Sequence, residues 1–142
     1  MILRELEART GLIKALAGCF VDLRDKRFVE HSVESLVAQR LYGIVLGYED
    51  LNDHDQLRRD PVHGLIAGKS DPLGQDRRLD RDKGRALAGH ATLNRLELSA
   101  RETSQFRKAC YLRASHCAGQ LLAKNESFAK IKLFFSRRSS QI

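Results

Sequence analysis

At 142 residues the chain has room for one hydrophobic core; a compact domain of that size buries a little under about 70% of the surface its unfolded chain exposes. With 42% hydrophobic and 30% charged residues, no Trp and only two Pro, the composition excludes an intrinsically disordered chain, and no apolar run approaches the roughly 20 residues that a membrane-spanning helix needs. The net charge of +7 is unevenly placed: residues 1–99 hold 16 Lys and Arg against 16 Asp and Glu, whereas residues 100–142 hold nine against two, Glu102 and Glu126, with no Asp.

Arg4, Glu5 and Glu7 occupy the first turns, where a secretory signal would have a basic stretch and then an apolar one, so a cytoplasmic location is expected. Cys19, Cys110 and Cys117 are odd in number and lack metal-ligand spacing, which suits reduced thiols. Leu3, Leu6, Ile13 and Leu16 predict an opening helix interrupted at Thr10-Gly11, with Thr10 placed to cap a second short helix. From Ser32, the spacing of Val33, Leu36, Val37, Leu41, Ile44, Val45 and Tyr48 follows one helix face and predicts the central helix. Between Leu41 and Tyr48 apolar residues run nearly all round, with Gly43 and Gly47 four apart, which predicts enclosure by neighbouring helices on the glycine side.

Asp60-Pro61 has the grammar of a helix start, cap then Pro at the first position, leading through Val62, Leu65 and Ile66 to a stop at Gly68, and Asp71-Pro72 repeats it. The stretch GQDRRLDRDKG from Gly74 carries Leu79 as its single apolar residue and is expected to be solvated; order resumes with Leu87, Leu93, Leu96 and Leu98. Beyond Ser99 there is weak helical periodicity around Leu112, Leu121 and Leu122, and a short strand candidate at Lys130 to Phe135. The expected organisation is therefore mainly α: a small helical domain over residues 1–98 and a basic, partly disordered or weakly helical tail over 99–142.

The densest chemistry lies between Glu49 and Asp60, where Glu49, Asp50, Asp53, Asp55 and Asp60 place five carboxylates in twelve positions. Converging carboxylates are what a Mg²⁺ site requires, but the order of an EF-hand is absent and so is the three-or-four spacing of ligands on one helix face. Local roles account for them better: Asn52 or Asp53 as cap of a helix through Leu57, Asp60 as cap of the next, Asp55 paired with Arg58 or Arg59. His54 stands between two acids, which favours its protonated form and makes it a polar anchor rather than a metal ligand. His31, His63, His90 and His116 have no Ser or Cys partner legible from spacing. Gly68-Lys69-Ser70 matches the end of a phosphate-binding loop, but Gly64 stands at the wrong offset and Asp71-Pro72 follows in place of a helix. No catalytic residue and no metal ligand is assigned.

Two strings, VAQR-x-YG-x-x-LGYEDLNDHD-x-LR-x-DP from Val37 and LAG-x-x-TLNRLE from Leu87, occur in order. Through them residues 3–98 resemble the N-terminal region of bacterial insertion-sequence transposases of the DDE domain group 1 family, with His90 and Ala91 standing where members usually have Lys or Arg and Ser. The resemblance implies DNA transposition: binding of transposon ends, and strand transfer by three separated carboxylates that hold Mg²⁺ on a ribonuclease-H-like sheet. Those carboxylates are expected beyond the segment this chain contains. The expectation is accordingly a truncated transposase fragment that lacks the catalytic core and is inactive alone, with no cofactor of its own although Mg²⁺ serves the full-length family, and with a tail of frameshift or fusion origin. Its expected partners are DNA, an intact transposase or a second copy, and no membrane. Arg101, Arg107, Lys108, Arg113, Lys130, Lys132, Arg137 and Arg138 are the expected DNA contacts. The alternatives are a small basic regulatory module and a non-functional relic that exposes apolar surface.

Overall fold

The computed structural model describes residues 2–98 and the backbone of residues 106–108. Its architecture is mainly α, as the sequence predicts. Helix α1 (Ile2–Thr10) and α2 (Leu12–Ala17) lead to a short strand β1 (Phe20–Asp22); the central helix α3 (Val33–Val45) is followed by the short helices α4 (His54–Leu57) and α5 (Pro61–Ile66), then by α6 (His90–Glu97) and a second strand β2 (Phe106–Lys108). The strands pair antiparallel, Phe20 opposite Lys108 and Asp22 opposite Phe106, so residues beyond the charge break return to the helical body. Neither strand is legible from period-two patterning, since three residues are too few to show it. The expected strand at 130–135 and the periodicity around Leu112, Leu121 and Leu122 lie outside the described residues.

Leu12, Ile13 and Leu16 of α2 pack with Leu36, Val37, Leu41 and Tyr42 of α3 and with Leu93 and Leu96 of α6 in one core. Each such Leu or Ile stabilises the fold by roughly 1.5 to 3 kcal/mol relative to exposure. The break between α1 and α2 falls at Gly11, whose φ of 59° is the left-handed region that glycine tolerates. Thr10 is not the principal cap there. Its hydroxyl lies 3.4 Å from Leu12 N, while the Glu7 carboxylate reaches over the break to accept from Ile13 N at 2.8 Å and Lys14 N at 3.4 Å.

Helix α3 starts as expected, with the Ser32 hydroxyl accepting from Ser35 N at 3.1 Å. Its end differs from expectation. Gly43 is closely approached, because a Cβ there would lie 2.8 Å from His54 Cε1, but Gly47 has φ 96° in open space and serves to stop the helix. Val45, Leu46 and Tyr48 are accordingly exposed rather than enclosed. Helix α5 follows its grammar closely: the Asp60 carboxylate accepts from Val62 N at 2.8 Å, Pro61 takes the first turn, and Gly68 follows at φ 80°. Its buried face is His63, Gly64 and Ala67, whereas Val62 and Leu65 face solvent. Asp71-Pro72 opens no helix. Both Asp71 oxygens are occupied by the turn itself, accepting from Leu73 N and Asp76 N at 3.0 and 2.8 Å.

Candidate nucleic-acid interface

A buried polar network holds the short helices in place, and it is built from the residues of the two signature strings. The Gln39 side chain forms a two-bond clasp with Ala88: Nε2 donates to the Ala88 carbonyl at 2.8 Å and Oε1 accepts from Ala88 N at 3.0 Å. That orientation leaves the second Nε2 hydrogen for His54 Nδ1 at 3.1 Å, while Arg40 Nη1 stands 3.5 Å from His54 Nε2. His63 donates from Nε2 to the backbone oxygen of Gln39 at 3.3 Å and meets His54 edge to face. Beside them Arg40 pairs with Glu97 at 2.6 Å and donates to the carbonyls of Tyr48 and Glu49, joining α3, the loop that follows it and the end of α6.

His54 is fully buried and is a polar anchor as expected, but its charge state is the reverse of the expected one. Burial, then the nearby Arg40 and His63, lower its pKa to about 4, against which Asp55 counts little because its carboxylate is engaged elsewhere. Asp55 accepts from His90 N at 3.1 Å and holds His90 Nδ1 at 2.5 Å, so it caps α6 from 35 residues away. Its contact with Arg58 is a longer 3.8 Å. Asp53 has helical backbone angles and makes no capping bond, and Asn52 is itself the donor in a turn closed by the Asp50 carboxylate at 2.9 Å. Three of the five carboxylates, Asp50, Asp55 and Asp60, thus serve turns and caps. Among the described residues no three His, Cys, Asp or Glu side chains converge as metal ligands would.

What does converge is arginine. The loop after β1, the C-terminal end of α4, the segment from Gly74 to Gly89 and the outer face of α6 enclose a cleft of about 610 Å³. Arg24, Arg58, Arg77, Arg85 and Arg95 line it, with Leu87, Ala88 and Gly89 among its lining and Thr92 at its side. Acids are part of the wall as well: Arg24 pairs with Asp22 at 2.7 Å, Arg77 with Glu30 at 2.7 Å and Arg85 with Asp82 at 3.8 Å. The segment expected to be solvated therefore turns inward at Arg77, which is half-buried, as is Arg85 just beyond its end. Gly74 makes this possible. At φ 65° its Cα sits so close to the returning chain that a Cβ would lie 2.6 Å from Ala86 N, and its carbonyl accepts from Gly84 N at 3.0 Å.

His31 sits at the back of the cleft between cations. Lys69 Nζ stands 3.1 Å from its Nδ1, Arg77 Nη1 stands 2.8 Å from its Nε2, and Arg24 donates to its backbone oxygen at 2.8 Å. Burial first, then those three charges, lower its pKa to about 3, so the ring is neutral and adds no charge to the wall. Among the described residues, Arg77 Nε is buried without a partner. Lys69, the middle residue of the Gly68-Lys69-Ser70 string, is thus a neighbour of His31, and no helix opens after it.

This cleft is not legible from sequence spacing, because its arginines come from separate segments and each has a local acid that suggests an ordinary surface pair. The eight basic residues expected to contact DNA lie outside the described residues, except for the backbone of Arg107 and Lys108 within β2. No described helix is long and apolar enough to cross a membrane. A family model described as transposase DDE domain group 1 matches residues 1–132, continuing past the charge break near Ser99. No curated protein and no solved structure gives a significant match.

Proposed function

The chain belongs to the transposase DDE domain group 1 family, and from that premise we propose that its helical body contributes to transposition by binding insertion-sequence end DNA. The observation that carries this reading is the meeting of five arginines in one cleft. A guanidinium matches a phosphate with two parallel N–H donors and keeps its charge at any physiological pH. The existing carboxylate partners hold these side chains in place before DNA arrives, and phosphate oxygens can occupy the donors that they leave.

The described carboxylates do not fit the Mg²⁺ that strand transfer uses, since no three of them converge and Glu30, Asp50, Asp55 and Asp60 each serve an arginine, a turn or a cap. No strand-cleavage step is assigned to them. Purified chain should retard an insertion-sequence end duplex more strongly than a scrambled duplex, and should leave supercoiled plasmid uncut in Mg²⁺. Absence of any shift removes the binding reading. Nicking that is lost in Asp53→Ala and Asp55→Ala variants overturns the assignment of those carboxylates to structure.

A further inference from the structure

A second, smaller cleft of about 360 Å³ adjoins the arginine cleft, and the two share Phe28, Glu30 and Arg77. Phe28 is 62% exposed. It stands on a short 3-10 turn, Lys26–Phe28, that is fixed at both ends: the Asp25 carboxylate accepts from Arg27 N at 3.0 Å, and Arg78 Nη1 donates to the Arg27 carbonyl at 3.2 Å. The guanidiniums of Arg78 and Arg27 lie 4.9 and 5.6 Å from the centre of its ring. The molecule therefore presents a rigid aromatic ring in water, flanked by cations, on the ridge between two basic clefts. A lone exposed apolar residue needs no explanation. A ring held by a capped turn, mostly in water although Arg78 and the Asp25-paired Arg27 lie over part of it, has the parts of a stacking platform, with free ring surface for a base and adjacent guanidiniums for its phosphates.

We propose that Phe28 stacks on an unpaired base, so that the ridge between the two clefts holds single-stranded DNA, with Arg77 and Arg78 on the adjoining phosphates. This rests on the reading of the chain as a DNA binder and adds that the strand at Phe28 is not in a duplex. Paired bases are already stacked on their neighbours and offer no free face to a side chain, whereas every unpaired base offers one whatever its sequence.

The test uses the full chain and two fluorescent probes of the same sequence, one a 20-nucleotide single strand and the other its duplex, read by anisotropy. Phe28→Ala should weaken the single strand by roughly 5- to 100-fold, the range that loss of one base–aromatic stack corresponds to, and leave duplex binding within about twofold. Phe28→Tyr, which keeps the ring, should restore single-strand binding. Circular dichroism confirms that the variants are folded. If Phe28→Ala changes neither probe, or both equally, while the chain still binds DNA, the stacking proposal is wrong and the reading as a DNA binder stands. If the unmodified chain binds neither probe, that reading fails with it.

Discussion

Gln39 shows how a buried amide suits a neutral neighbour. Its amide is oriented by the Ala88 backbone, so it can only donate to His54, and a protonated imidazole would bring two like donors together. Burial, then Arg40 and His63, hold His54 neutral down to about pH 4, and burial, then Lys69, Arg77 and Arg24, hold His31 neutral to about 3. In the unfolded chain both rings take up protons near the ordinary value of about 6.5. Between the two values the unfolded state binds more protons than the folded one, so stability is complete above about pH 6.5 and is lost as pH falls toward 4 and then 3. The expected outcome is a urea midpoint that drops between about pH 6.5 and pH 4.5, above the range in which the carboxylates titrate. His63, whose pKa burial also lowers, adds to the drop, and His31→Gln, which removes one of the three titrations, should make it shallower. A midpoint flat over this window contradicts the neutral buried rings.

At the scale of elements, helix starts that depend on the adjacent residue were legible and those that depend on distant residues were not. Ser32 and Asp60-Pro61 cap α3 and α5 through bonds to residues two or three positions on, and such spacing is visible in a string. The N-terminus of α6 has Gly89 in place of a capping side chain, and the oxygen that serves it comes from Asp55 in α4. Gly89 is glycine for the same reason: a Cβ would stand 2.7 Å from that Asp55 oxygen. Asp55→Ala should therefore destabilise the fold by about 1 to 2 kcal/mol, the usual cost of a lost helix cap. Asp55→Asn, which keeps an oxygen for His90 N, should lose less, and chemical denaturation of the two variants separates them. Equal losses would mean that the His90 imidazole contact, rather than the cap, is what Asp55 contributes. The same geometry explains why the cluster of carboxylates looks catalytic in a list of residues: caps, turns and metal sites draw on the same side chains, and only direction in space distinguishes them.

For the molecule as a whole, the signature strings and the arginine cleft stand in different relation to sequence. Gln39, Arg40, His54, Ala88 and Glu97 lie in the two strings and form one connected network, in which changing a single member strands its partners, while Asp55 ties α4 to α6 beside it. The cleft was hidden because residues 1–99 balance to zero charge, so that the only visible excess lay in the tail. Folding gathers Arg24, Arg58, Arg77, Arg85 and Arg95 on one face, with acids paired to three of them. The body and the tail therefore make different predictions for salt dependence. Each phosphate contact contributes about 0.9 to the slope of log affinity against log salt, through release of condensed cations from the duplex. If the cleft holds DNA, Arg58→Gln combined with Arg95→Gln should lower that slope by about 2 between roughly 50 and 200 mM salt. Arg95 is exposed on α6, and the Arg58 side chain makes only local contacts to Asp55, a 3.2 Å bond to its backbone oxygen and a 3.8 Å approach to its carboxylate, so the pair can be changed with little effect on the fold. A slope that is unchanged in the double variant places the DNA on the tail's basic residues instead, because those contacts are left intact by both substitutions.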